Sequence, residues 1–145
     1  MPHDISDQPH WHEPGRDMYA GTPSWPRLKT PYDEFMEAQE IPIYRNISVS
    51  RLQELPLKPW TRMGGRGSFI QLIGTEGLWG SYVVEVPGAG ALNAERHFYE
   101  EIYLVMDGRG TAEIWVDGQP NPDVFEWHRG SLFSIPMNTH HRIVN

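Results

Sequence analysis

Hydrophobic and polar positions change character near Pro59. Beyond it, short apolar or aromatic runs recur between glycines and prolines: Phe69 to Ile73, Trp79 to Val86, Ile102 to Met106, Thr111 to Val116 and Leu132 to Ile135. Brief strands at this spacing predict an all-β, antiparallel sandwich or barrel. Asp107-Gly108 and Asp117-Gly118 supply residues that accept the positive φ of tight hairpins. Gly64-Gly65-Arg66-Gly67 reads as a flexible connection between strands, because it lacks the Lys-Ser/Thr ending and the following helix of a phosphate loop.

Ahead of Pro59 the pattern is different. Pro2, Pro9, Pro14, Pro23 and Pro26 interrupt residues 1 to about 29, which predicts an extended arm rather than a helix or a ladder strand. Trp11, Tyr19 and Trp25 make that arm too apolar for a solvated tail, so it is expected to lie on its own domain or on a neighbouring subunit. Thr30-Pro31-Tyr32-Asp33 combines a capping Thr, Pro at the first helical position and an acid three residues on, predicting a short helix through about Gln39. Ser50 to Leu55 reads as a single turn stopped by Pro56. The expected organisation is an arm and helix over 1–42 and a β-domain over 43–145.

Composition narrows the function classes. A chain of 145 residues fits one domain. A formal charge of −7 opposes nucleic-acid and anionic-membrane partners, both of which attract basic patches. No apolar run approaches the roughly 18 residues of a membrane span, and Met1-Pro2-His3-Asp4 lacks a signal-peptide start, so a cytosolic location is expected. With no cysteine, thiolate metal sites and cysteine nucleophiles are excluded, and any metal must be held by nitrogen and oxygen.

Two clusters carry those donors. Alternate strand residues share a face, so Glu95 and His97 can point together into a barrel while Arg96 points away. A turn near Phe98 and Tyr99 would bring Glu101 back beside them at the start of the next strand, with Tyr103 and Val105 continuing its inward face. In the second cluster Gly130 turns the chain, Leu132 to Ile135 forms a strand, Pro136 to His140 makes a corner, and His141 opens the following strand. Such a donor set suits Fe(II), Mn(II), Ni(II) or Zn(II) alike. Glu100 and His140 are the alternatives to Glu101 and His141 should either register slip by one. His10 and His12 form a His-x-His in the arm, read as solvated or packing residues. Trp79, Tyr82, Tyr103, Trp115 and Trp127 are read as core aromatics.

At these residues the chain resembles the cupin superfamily. Its first motif is Gly, five residues, His-x-His, three or four residues, Glu, six residues, Gly; here His97, Glu101 and Gly108 match. Its second is Gly, five residues, Pro-x-Gly, two residues, His, three residues, Asn; here Gly130, Pro136, His141 and Asn145 match in order and spacing. The resemblance covers about residues 67 to 145. Glu95 stands where the family has its first metal histidine, and Asn138 where it has the Pro-x-Gly glycine. Ureidoglycine-type cupin hydrolases look similar in opening with Glu-x-His.

The resemblance implies a jelly-roll barrel holding one divalent transition metal (Fe, Mn, Ni or Zn) through Glu95, His97, Glu101 and His141, with Tyr103 and Arg142 orienting ligands and substrate. It implies an enzyme acting on a small organic acid or aromatic substrate, with a non-haem dioxygenase ahead of hydrolase, isomerase or decarboxylase chemistry. The rival is a non-catalytic binding or regulatory cupin, or a partner domain within a two-cupin protein whose active site lies in the other half; in the plainest reading the barrel has lost its metal and Glu95 pairs with Arg96 or Arg142 at the surface. Because the family's barrel runs past the strand beginning at His141, the remaining strands are expected from a later part of a longer, two-cupin protein or from a second chain, and a homo-oligomer is expected.

Overall fold

The cap read from Thr30 to Asp33 is built as expected in α1 (Pro31–Ala38), part of a computed structural model that describes residues 29–75 and 77–145. The Thr30 hydroxyl accepts the Asp33 N–H at 3.2 Å, and the Asp33 carboxylate accepts the Thr30 N–H at 2.8 Å. The proline-rich arm, with His10 and His12, lies outside the described residues. The described residues divide into two compact units, one comprising 29–58 with 67–83, the other 59–66 with 84–145.

In the first unit Met36 and Phe69 are fully enclosed, and the rings of Tyr32, Phe35 and Phe69 gather within 5.9–6.4 Å of one another. Asp33 is buried too, and its second oxygen accepts from Gln71 Nε2 at 3.0 Å, which satisfies a charge that would otherwise be costly to enclose. β1 (Ile43–Asn46) pairs with β3 (Gly65–Leu72) in parallel, Ile43 opposite Phe69 and Asn46 opposite Leu72. β2 (Lys58–Trp60) and β4 (Ser81–Glu85) join β3 in the same sheet. A 3-10 turn at Leu52–Glu54 fills the place predicted for a single turn.

The second unit carries two antiparallel assemblies. One is a four-stranded sheet ordered β5 (Glu95–Arg96), β10 (His140–Val144), β7 (Arg109–Trp115) and β8 (Asp123–His128). The other is a ribbon of β6 (Glu101–Leu104) and β9 (Leu132–Ile135), with Glu101 opposite Ile135 and Tyr103 opposite Phe133. Ribbon residues alternate: Glu101, Tyr103 and Ile135 turn inward, while Ile102, Leu104 and Leu132 are exposed. Trp60, Met63, Leu92, Ala112, Trp127, Ile135 and Ile143 form this unit's buried apolar set.

The all-β class is therefore what the chain adopts, mostly in antiparallel sheets, and among the described residues these sheets are open rather than closed into a barrel. Two local expectations are corrected. The glycine run at 64–67 is not a flexible connection, since β3 already begins at Gly65; a Cβ there would strike the Glu85 carbonyl oxygen and lie 2.9 Å from Leu92 Cδ2, so the strand needs glycine for close approach. Trp79 precedes β4 and is exposed, not a core aromatic.

Candidate metal centre

Each donor owes its place to strand geometry. His97 follows directly on β5, Glu101 opens β6, and His141 is the second residue of β10, paired to Glu95 on one side and to Ile114 on the other. Alternation along β10 turns His141 inward while His140 and Arg142 face out. Three separate chain segments thus deliver two imidazoles and one carboxylate to one place.

The three converge on a single oxygen. Glu101 Oε2 lies 3.3 Å from His97 Nε2 and 3.6 Å from His141 Nε2, and one ligand atom from each residue lies within 4.8 Å of the others. Donors that share an ion at bond lengths of about 2.0–2.2 Å sit at comparable separations. The two imidazole centroids are 5.2 Å apart with planes inclined at 68°, and both rings are buried. This group could hold a metal ion, and its donors are the nitrogen and oxygen that a cysteine-free chain can offer.

The tautomer of His97 is set by its own loop. Its Nδ1 lies 2.7 Å from the carbonyl oxygen of Tyr99, which can only accept, so Nδ1 carries the proton and the lone pair of the neutral ring sits on Nε2, toward Glu101. The Tyr99 ring lies flat on His97, centroids 3.9 Å apart and planes 2° from parallel. His141 is oriented differently. Its Nδ1 is buried without a well-formed hydrogen bond, and the ring is held by edge contacts with His97 and, at 6.4 Å, with Tyr103. Burial pushes the His141 pKa below the ordinary histidine value, against a weaker upward pull from Glu101.

The remaining sequence candidates fall in different places. Glu95 is beside the group but outside it, its Oε1 2.6 Å from Arg62 Nη2; the expected surface partners Arg96 and Arg142 are not its partners. Burial raises the Glu95 pKa above the usual carboxylate value, opposed by Arg62 and reinforced by Glu101. Tyr103 lines the inner face, stacked on Phe133 at 5.3 Å and set edge-on to His141. Arg142 points away, its Nη2 2.6 Å and Nε 2.9 Å from Glu113 Oε2. Arg62 and Tyr99 were not singled out from sequence: Arg62 lies in a segment with no strand pattern, and Tyr99 acts through a backbone carbonyl, which leaves no residue-type signal.

No family model matches the chain, and no curated protein matches it in sequence.

Proposed function

We propose that this chain forms a cupin-type domain in which His97, Glu101 and His141 hold one divalent transition metal, and that it serves as a non-haem oxygenase for a small organic acid or aromatic substrate. The observation that carries the reading is the convergence of both Nε2 atoms on Glu101 Oε2, at 3.3 and 3.6 Å, with the His97 lone pair aimed by the Tyr99 carbonyl. Two histidines and one carboxylate with positions left open is the set by which non-haem Fe(II) is commonly held. An ion bound there supplies Lewis acidity and, as Fe(II), redox chemistry toward dioxygen.

The protein's own contribution is orientation and exclusion of water. The Nδ1–H···O=C bond from His97 fixes the tautomer in which the neutral ring turns its Nε2 lone pair toward Glu101, the kind of outer contact whose loss costs roughly 10–100-fold in metal affinity. Tyr99 covers His97 with its ring face, and Tyr103, set edge-on to His141, is the aromatic group placed to contact a substrate beside the ion. Burying two imidazoles and a carboxylate costs folding free energy unless a partner satisfies them, which is the physical case for an ion over an empty polar cluster.

Elemental analysis of the purified chain tests the reading. One equivalent of a transition metal is expected, lost in H97A and H141A, with oxygen consumption in the presence of small organic or aromatic acids. A folded chain that takes up no metal from any of Fe(II), Mn(II), Ni(II) or Zn(II) sinks it.

A further inference from the structure

We propose that Arg62 anchors the carboxylate of the substrate, so that the proposed metal site acts on a small carboxylic acid as its monoanion; the inference rests on the metal reading above and narrows it. The turn that presents Arg62 is built for rigidity. Gly64 N–H donates to the Trp60 carbonyl at 2.9 Å, and the flanking Trp60 and Met63 side chains are buried. Asn93 closes the turn from outside: its Nδ2 donates to the carbonyls of Thr61 at 3.2 Å and Arg62 at 2.8 Å, while its backbone N–H donates to Met63 at 2.8 Å. Gly64 sits at φ 73°, and a Cβ there would be 2.8 Å from Asn93 Oδ1, so glycine is required for Asn93 to approach.

The same short segment that clamps this turn continues into the candidate metal centre, Asn93 being two residues before Glu95 and four before His97. Arg62 Nη2 meets Glu95 Oε1 at 2.6 Å, where the Glu95 side chain is 8% exposed and that of Arg62 38%. Glu95 in turn feels the Glu101 carboxylate and the His97 ring, and the Tyr99 hydroxyl feels both Arg62 and Glu101 while its ring covers His97. The guanidinium therefore stands beside the candidate ligand group with part of its surface open to solvent, on a turn that Asn93 closes with three hydrogen bonds.

Charge decides what such a cation is for. With neutral imidazoles, Glu95 and Glu101 against Arg62 leave one negative charge; a divalent ion makes this one positive, and a monoanion cancels it. Guanidinium presents a planar fork of five donors that matches a carboxylate in shape, and Glu95 holds that plane in one orientation. A carboxylate arriving at the ion thus meets a second, preset positive group, whereas a neutral molecule of the same shape gains nothing from it.

The full chain loaded with Co(II) provides the test, with the visible spectrum of the bound ion reporting ligand entry. Acetate and benzoate are titrated against acetamide and benzamide, their neutral counterparts. The expected result is a carboxylate preference of about ten- to a hundredfold, the worth of a charge-assisted pair. R62Q is expected to erase that preference at unchanged cobalt stoichiometry, and R62K to restore part of it. The double variant R62Q/E95Q, which avoids leaving Glu95 without its partner, returns the site to one net positive charge without the guanidinium and is expected to show a preference weaker than that of the natural chain. No preference in the natural chain, or a preference that survives in full in both R62Q and R62Q/E95Q, overturns the inference alone. A chain that takes up no cobalt overturns the metal reading, and this inference falls with it.

Discussion

The backbone N–H of Asn138 donates to the carbonyl oxygen of His97 at 2.8 Å, so the corner leading into β10 is tied directly to the corner that follows β5. Asn138 holds φ 64°, and its Oδ1 accepts from Arg96 Nε at 2.9 Å; Arg96 also reaches Asp117, which His140 meets at 2.9 Å. The outer face of the sheet thereby fixes the spacing of the donors on its inner face. Asparagine is one of the few residues that tolerate this left-handed conformation. N138G is expected to retain metal, whereas N138V forces a β-branched residue into that conformation at about 1–2 kcal/mol and weakens binding. Metal titration with a competing chelator, alongside R96A at roughly tenfold weaker affinity, checks this.

Glu95 and Glu101 differ in partner, and the difference separates a candidate ligand from its neighbour. Glu101 Oε2 faces both imidazoles, while Glu95 Oε1 faces Arg62. E101Q is expected to abolish stoichiometric metal binding, and E95Q to retain it. Thermal unfolding gives a second readout: at an ion concentration about 100 times Kd the natural chain and E95Q gain roughly 2.7 kcal/mol, and E101Q gains nothing.

Burial holds the His141 pKa below its ordinary value of 6.5. In metal-free protein the folded state therefore keeps the ring neutral while the unfolded chain binds the proton more readily. The stability this site contributes is complete above about 6.5 and is lost as pH falls from there through the lowered folded value. Urea midpoints measured from about pH 7.5 to 5 are expected to drop more steeply for the natural chain than for H141Q.

Gly65 marks a close passage in the second unit, where a Cβ would meet the Glu85 carbonyl and the Leu92 side chain. G65A is expected to destabilise the chain by about 1–3 kcal/mol through forced displacement of backbone, with the loss read from the urea midpoint at unchanged slope.

Much of the site was legible because its donors obey strand alternation and motif spacing at once. His97, Glu101 and His141 meet as those patterns require, and the helix at Pro31–Ala38 announces itself through a cap that depends only on neighbours in sequence. What escaped has physical reasons. β8 places Phe125 and Trp127 on one face between Asp123, Glu126 and His128, so it shows no continuous apolar run. β1 pairs in parallel with β3, and apolar runs carry no information about strand direction. Arg62 reaches Glu95 from 33 positions upstream, a pairing set by how Asn93 closes a turn and not by local pattern.

The alternation in the β6–β9 ribbon has an unusual composition. Glu101 and Tyr103 occupy the enclosed side while Ile102 and Leu104 face solvent, opposite to what oil-and-water sorting favours. A slip by one residue would exchange the two sets and bury aliphatic surface, so hydrophobicity here pulls toward the wrong alignment. Correct alignment must come from polar convergence and from the reversal at Gly130, and any substitution that silences the histidines removes a reason for this ribbon to stay in step.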